Sequence, residues 1–196
     1  MENQNYFAEL VADRTHPYEI NLELYIRKFF EKNTDYTFEF QKNEDKYGYD
    51  LSVFKYFLNG PNYEKKLIAF IEIEISETWV NDYPEYWRDY SFLKRKIYKY
   101  CWQENEFYDE LKDNADRTIY IIFNKSLTDC ICNEITFIAN NFKTRHRDTT
   151  GRYYNDCFMV CSKNNNDLVI RGVRNSLIKI YRFIRDKSME ESNGLQ

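Results

Sequence analysis

The sequence contains few glycines and prolines and no long apolar run. Its 5 glycines and 3 prolines leave little material for flexible linkers, so we expect one domain over residues 1–196. No stretch approaches the roughly 18 to 20 unbroken apolar residues that a membrane helix requires. The first residues also lack the basic and apolar regions of a signal peptide. These absences predict a cytoplasmic protein without a membrane partner.

Cysteine is present in an odd number, and histidine is nearly absent. Without a secretion signal, the 5 cysteines are expected to be reduced thiols rather than disulfides. A zinc site is an alternative, with ligands drawn from Cys130, Cys132, Cys157, Cys161 and His146. Their spacings differ from the usual two-residue zinc knuckle, which favours buried free cysteines. The chain also lacks a glycine-rich phosphate loop, which argues against nucleoside-triphosphate chemistry.

The net charge of −4 argues against non-specific wrapping of nucleic acid. The basic residues are nevertheless concentrated in three runs, over residues 94–99, 145–152 and 171–187. The first two runs provide the candidate nucleic-acid-binding residues, which are Lys94, Arg95, Arg145, Arg147 and Arg152.

Aromatic residues make up 18% of the chain, which is more than a core requires. One cluster, over residues 79–90, contains Trp79, Tyr83, Tyr86, Trp87 and Tyr90. These rings could stack on bases, although packing over a sheet is the commoner use of such a cluster. Abundant Asn, Lys, Ile and Tyr also suggest an AT-rich genome, as in many phages.

The periodicity of apolar residues predicts a chain of mixed helices and strands. Helices are predicted over residues 18–31, within 91–111 and over 172–184. Strands are predicted over residues 36–40, 49–57, 66–75, 117–123, 153–161 and 168–171, whereas 130–139 fits either structure. The order helix, three strands, helix, strand predicts an α/β or α+β fold. We place its core at residues 17–124, a C-terminal elaboration at 125–187 and a tail at 188–196.

Two glutamates lie near the end of the most apolar predicted strand. Strand alternation places Glu72 and Glu74 on one face with Ile68 and Phe70. In an antiparallel pair the start of one strand lies beside the end of its neighbour, so Asp50 is expected near both glutamates. Carboxylates on an apolar strand are costly unless a cation compensates them, and Mg²⁺ prefers such oxygens. The alternative is a half-exposed strand with a solvated polar face.

This order of elements and acids resembles the PD-(D/E)XK nuclease superfamily, whose restriction-endonuclease-like core is a central mixed sheet flanked by helices. In that family an Asp on the second strand and an acid on the third bind Mg²⁺, and a glutamate on the first helix often completes the site. The resemblance assigns these roles to Asp50, Glu72 and Glu19. Because Glu19 falls on the apolar stripe of the first predicted helix, an ion pair with a core-edge arginine is an equal alternative for it.

The third strand departs from the family pattern at Glu74, which stands where the family usually has a catalytic lysine. Some restriction endonucleases of the superfamily carry Glu-x-Glu, so this departure does not exclude activity. Lys94 or Lys96 could supply the missing positive charge from elsewhere in the site. Asp50 also follows Tyr49 instead of the proline of the motif.

The resemblance implies an endonuclease that hydrolyses phosphodiester bonds with Mg²⁺ or Mn²⁺. DNA is the expected substrate rather than RNA, and a homodimer is left open because many members of the family dimerise to cut both strands. The missing lysine and the negative net charge favour an alternative of another class. This is a catalytically inactive relative, a phage-encoded binding or inhibitory protein that acts through protein contacts.

Overall fold

Three consecutive antiparallel strands form one half of the main sheet. They are β1 (Phe38–Lys42), β2 (Leu51–Asn59) and β3 (Asn62–Ser76). The computed structural model describes residues 26, 28–29, 32, 38–42, 50–59, 62–76, 78–102, 109–146, 157–164 and 168–193. The β-branched residues of β3 suit a strand that is covered on both faces, and residues 68–73 are buried.

The other half of the main sheet begins with a parallel strand. This strand, β5 (Thr118–Asn124), pairs with the second half of β3. β6 (Cys130–Glu134) and β9 (Ile170–Arg171) then follow in antiparallel orientation, and the sheet order is β1-β2-β3-β5-β6-β9. The prediction of an α/β or α+β fold around a central mixed sheet is therefore confirmed.

A second sheet of three strands was not predicted from the sequence. It is formed by β4 (Asp89–Leu93), β7 (Lys143–His146) and β8 (Cys157–Ser162), in the order β4-β8-β7. The sequence prediction placed a connection through residue 90 and therefore missed β4, whereas the helix predicted within 91–111 is present at Lys94–Cys101 and the strand predicted over 153–161 contains β8. β4 has only five residues and β7 only four, so neither contains enough alternation to be recognised alone.

Four helices have complete bounds within the described part of the chain. They are α1 (Lys94–Cys101), α2 (Asp109–Asp113), α3 (Ile135–Asn141) and α4 (Val173–Asn193). The ambiguous stretch 130–139 contains both a strand and the start of a helix. The prediction of a tail is wrong for residues 188–193, because α4 continues through Asn193 and buries Ser188, whereas residues 194–196 lie outside the described part of the chain. The prediction of a helix over 18–31 lies mostly outside the described residues, although Ile26, Lys28 and Phe29 are helical.

The main sheet separates two apolar cores. On one face, Ile71 and Ile121 pack with Leu177 and Ile180 of α4, and we call this the helix-side core. On the other face, Phe70 and Tyr120 pack with Phe92 of β4, Ile97 of α1 and Met159 of β8, and we call this the second-sheet core. Each fully buried side chain of this size stabilises the fold by about 1.5–3 kcal/mol relative to an exposed one.

The second-sheet core and the helix-side core both draw strands and helices from beyond residue 124. Strands β6 and β9 complete the main sheet, and α4 covers its face. The described residues in the range predicted as a C-terminal elaboration, 125–187, therefore contribute strands and helices to both cores. No helix within the described ranges is long and apolar enough to cross a membrane.

A β-bulge changes the alternation of β3. Val53 pairs with Ala69 but Phe54 pairs with Leu67, so Ile68 is an extra residue in β3. Ile68 packs with the helix-side core together with Ala69, whereas Leu67 packs with the second-sheet core. The prediction that Ile68 shares a face with Phe70, Glu72 and Glu74 is wrong for Ile68 because simple alternation does not account for the bulge.

The far ends of β2 and β3 extend beyond their neighbours in the described sheet. β1 pairs with β2 as far as Lys55, and β5 pairs with β3 from Phe70 onward. Beyond Lys55 in β2 and before Phe70 in β3, the two strands pair only with each other in the described sheet and form a two-stranded ribbon, in which Leu58 pairs with Tyr63. These two side chains are 71% and 73% exposed.

Candidate metal centre and active site

Asp50 is positioned by the register of β2 and β3. The last ladder pair joins Leu51 to Ile71, so the residue before Leu51 lies opposite Glu72. The backbone N–H of Ile73 donates a hydrogen bond of 2.6 Å to Asp50 Oδ2, which holds the carboxylate beside the strand. The structure thus brings Asp50 to Glu72, as antiparallel pairing predicts.

Glu72 is fully buried, with an exposed fraction of 0%. Its carboxylate accepts hydrogen bonds from three side chains of α1. Lys96 bonds to Oε1, Lys99 lies 3.4 Å from Oε1 and 3.3 Å from Oε2, and Tyr100 donates to Oε2 at 2.6 Å. A buried carboxylate is tolerated only when opposite charge and hydrogen bonds replace its hydration. The spacing of these donors, i, i+3 and i+4, places them on one face of the helix.

Lys96 bridges the two carboxylates. Its Nζ forms an ion pair with Glu72 and lies 3.8 Å from Asp50 Oδ2. Burial alone would lower the pKa of Lys96, but the charge of Glu72 and then that of Asp50 outweigh burial and raise this pKa above its ordinary value of 10.5. Lys96 is therefore a cation at neutral pH. The pKa of Lys99 is instead lowered, by burial first and also by the positive charge of Lys96.

Glu74 lies on the same side of β3 as Glu72 and has a separate partner. The hydroxyl of Tyr120 donates a hydrogen bond to Glu74 Oε2. Tyr120 belongs to β5, where it pairs with Glu72 in the ladder. Burial and then the charge of Glu74 raise the pKa of Tyr120 well above its ordinary value of 10.0, so Tyr120 remains a neutral donor. Two neighbouring acids of one strand therefore have different environments.

The structure does not bring every predicted residue to the carboxylates. The ammonium of Lys94 lies 5.7 Å from the centre of the Trp102 ring, so of the two lysines predicted for the site it is Lys96 that reaches Glu72. Arg145, in β7, forms an ion pair with Asp89 of β4. Glu19, Arg147 and Arg152 lie outside the described residues. Arg95 lies in α1, but its side chain is outside the described set.

Three side chains of the site were not predicted from the sequence. Lys99 and Tyr100 stand three and four residues after Lys96, and this helical spacing was a signal that could have identified them. Tyr120 had no comparable signal, because its contact with Glu74 depends on the register between β3 and β5. In that register Tyr120 pairs with Glu72, which is 48 positions earlier in the sequence.

The chemistry of Asp50 and Glu72 fits a divalent metal. Both carboxylates already share one positive charge, that of Lys96. Mg²⁺ is commonly held by one or two carboxylates, with water and substrate oxygens completing its shell. Within the described ranges no three His, Cys, Asp or Glu side chains converge as a metal-holding group. Asp50, Glu72 and Glu74 thus do not form the expected three-carboxylate cluster, and the ligands here would be Asp50 and Glu72.

The cysteines fit the prediction of buried free thiols. Cys101, Cys130, Cys132 and Cys161 are free, and the last three are buried. Burial raises the pKa of Cys132 to about 12 and that of Cys130 well above its ordinary 9.0, which disfavours the thiolate that zinc requires. The side chains of the other two proposed zinc ligands, Cys157 and His146, lie outside the described set.

Most of the aromatic cluster packs inside the protein. Trp79, Tyr83 and Tyr90 are buried in the second-sheet core, and the Tyr83 hydroxyl donates to the Asp89 carbonyl at 2.8 Å. Tyr86 is 81% exposed. Core packing is therefore the role of these three rings, in agreement with the commoner use of such a cluster.

Comparison with known proteins assigns no family to this chain. No family model matches the sequence, and no curated protein matches it either. Among solved structures, the chain is similar to a nuclease from a fusselovirus. The alignment covers 88% of this chain and 89% of that chain, with 13% sequence identity and a TM-score of 0.46.

Proposed function

We propose that this chain is a nuclease that hydrolyses phosphodiester bonds, in DNA, with Mg²⁺ or Mn²⁺ as its cofactor. One observation carries the proposal: Asp50 and the fully buried Glu72, from neighbouring strands, share the ammonium of Lys96. Paired carboxylates beside a lysine provide metal-binding oxygens and a positive charge for a phosphate at one place.

Each residue of the site has a role in this proposal. A bound divalent cation would polarise the scissile phosphate and lower the pKa of a water molecule. Asp50 and Glu72 would hold that cation. Lys96 would contact a phosphate oxygen and stabilise the charge that develops on it, in place of the lysine absent at Glu74. Glu74, fixed by the Tyr120 hydroxyl, would orient the attacking water.

Basic residues near the site would hold the nucleic-acid backbone. Lys94 and Arg95 open α1, directly after β4, and Arg145 lies in the same second sheet as β4. Contacts from such residues to phosphates fix the position of a duplex without reading its sequence. Arg147 and Arg152 remain candidates for the same role from the sequence alone.

A second function is favoured by a different observation. Glu72 accepts hydrogen bonds from Lys96, Lys99 and Tyr100, so its charge is already compensated inside the protein. Such a network stabilises a fold without any metal. The alternative is therefore an inactive protein of this fold that binds or inhibits another protein.

The test is a plasmid-nicking assay with Mg²⁺ or Mn²⁺ on the wild type and on Asp50→Asn and Glu72→Gln. We expect metal-dependent nicking that falls at least about a hundredfold in both variants, because each loses a charged metal ligand. Glu64→Gln is the matched control, since it removes an exposed carboxylate from the same strand. Circular dichroism confirms that each variant is folded.

The outcomes separate the two functions. Absence of cleavage of DNA and RNA, together with absence of metal binding in calorimetry, would favour the inactive binding protein. Cleavage that persists in both Asp50→Asn and Glu72→Gln would place the chemistry elsewhere in the chain.

A further inference from the structure

We infer that Lys96 is an internal counter-ion that occupies the cation position between Asp50 and Glu72, and that its ammonium must leave Glu72 before a divalent metal binds. The inference rests on the proposed function for the existence of the metal site. It adds that the protein itself competes with the metal for that site.

The position of the Lys96 ammonium supports this competition. It pairs with Glu72 and lies 3.8 Å from Asp50, so one cation already serves two acids. A divalent ion bound to the same two carboxylates would stand within a few ångströms of this ammonium, where like charges repel strongly. Lys96 therefore cannot keep both contacts while the metal is bound.

The side chain of Lys96 has access to solvent. Its exposed fraction is 25%, whereas that of Glu72 is 0%. Because α1 holds Lys96 by its backbone, the flexible four-carbon stem can carry the ammonium outward without a change in the helix. The movement needed is a change of side-chain conformation.

Two other donors hold Glu72 when Lys96 leaves. Tyr100 donates to Oε2 at 2.6 Å, and Lys99 lies 3.3 Å from the same oxygen. Neither contact passes through Lys96. The carboxylate therefore keeps a charged partner and a hydrogen-bond donor, and the exchange does not leave it uncompensated in the interior. The residues of α1 thus divide into one exchangeable partner and two that position the carboxylate.

The experiment measures metal affinity by calorimetric titration with Mn²⁺ and Mg²⁺, without substrate. We expect Lys96→Met to bind at least about tenfold more tightly than the wild type, because a neighbouring positive charge is removed. Lys96→Arg keeps the charge and is expected to bind no more tightly. Lys143→Met, which removes an exposed positive charge from β7 in the second sheet, is the control and is expected to match the wild type.

A second measurement uses the wild type, so it does not depend on the folding of Lys96→Met. Amine acetylation followed by mass spectrometry reports the accessibility of each lysine. Saturating Mg²⁺ is expected to increase the labelling of Lys96 and to leave that of Lys143 unchanged.

Either of two results would overturn the inference. One is a folded Lys96→Met variant that binds metal no more tightly than the wild type, and the other is unchanged Lys96 labelling at saturating metal. Metal-dependent cleavage by the wild type alongside such a result would leave the proposed function standing. Tighter binding by Lys96→Met without cleavage by any form would support the competition and refute the nuclease.

Discussion

At the scale of single residues, the environment of Glu72 sets the requirements of the site. An ionised carboxylate with no solvent exposure needs several partners, and α1 supplies them. The hydroxyl of Tyr100 is itself in a buried side chain, so its bond to Glu72 is shielded from water. Hydrogen bonds to a charged acceptor in such surroundings are stronger than bonds between neutral groups.

Replacement of Tyr100 by phenylalanine tests the contribution of this hydroxyl to stability. We expect Tyr100→Phe to lower the free energy of unfolding by about 1.5–3 kcal/mol, the typical value for a hydrogen bond to a charged group. Urea denaturation at neutral pH measures the change. Tyr98→Phe is the matched control, because Tyr98 lies in the same helix and is 43% exposed. Equal costs for the two variants would contradict a special role for the Tyr100 hydroxyl.

The sequence predicts the acids of the site better than their partners. Asp50 and Glu72 follow from the positions of strand ends, which local alternation reveals. Lys96 was one of two candidates, since the start of α1 determines which lysine faces the sheet. Tyr120 could not be predicted, because a contact between separate strands depends on their register and crossover.

At the scale of elements, Gly172 connects β9 to α4. Its φ of +86° lies in the left-handed region, which residues with a side chain rarely adopt. Its N–H donates to the Cys130 carbonyl at 2.8 Å, and its carbonyl accepts from the Ser176 N–H at 2.9 Å. This one residue thus joins the edge of the main sheet to the first turn of the helix.

Substitutions at Gly172 separate backbone strain from crowding. An added Cβ would meet no atom within 4 Å, so only the backbone conformation opposes a side chain. We expect Gly172→Ala to lower the free energy of unfolding by about 1–2 kcal/mol. Gly172→Asn should cost less, because asparagine tolerates the left-handed region. Chemical denaturation of both variants gives the comparison, and an asparagine variant less stable than the alanine variant would refute this explanation.

The long elements were predicted from the sequence, and so were some short strands such as β1 and β9, but β4 and β7 were not. β3 and α4 have strong periodic patterns and were predicted, although both extend further than expected. The bulge at Ile68 and the strands β4 and β7 were not predicted, because they depend on pairing partners distant in the chain. Their stability comes from tertiary contacts, which a local pattern does not contain.

At the scale of the whole molecule, buried thiols predict a loss of stability in alkaline solution. Burial raises the pKa of Cys132 to about 12 and that of Cys101 to about 11, from an ordinary value of 9.0. Between the ordinary pKa of 9.0 and these raised values, the folded state binds more protons than the unfolded state, so the free energy of unfolding falls as pH rises. The raised pKa of Lys96 acts in the same direction at higher pH, whereas the lowered pKa of Lys99 opposes it.

Urea denaturation under reducing conditions, between pH 7.5 and 10.5, measures this dependence. We expect the free energy of unfolding to decrease over the interval, mainly above pH 9. Cys132→Ala should show a smaller decrease than the wild type, because one shifted thiol is absent. A wild-type stability that stays constant or increases over this interval would contradict the prediction.

The extra residue at Ile68 determines which side chains of β3 lie on the same face of the sheet. Upstream of it, Tyr63 is followed at every second position by Lys65 and Leu67, and downstream the same side continues with Phe70 and Glu72. In a strictly alternating strand, the side chains of Tyr63 and Glu72 would lie on opposite faces of the sheet. With one inserted residue, the side chains of Tyr63 and Glu72 project to the same side of the sheet, although the two residues are roughly 30 Å apart along the strand at about 3.3 Å per residue. The exposed ring of Tyr63 and the buried carboxylate of Glu72 therefore lie on the same side of the main sheet.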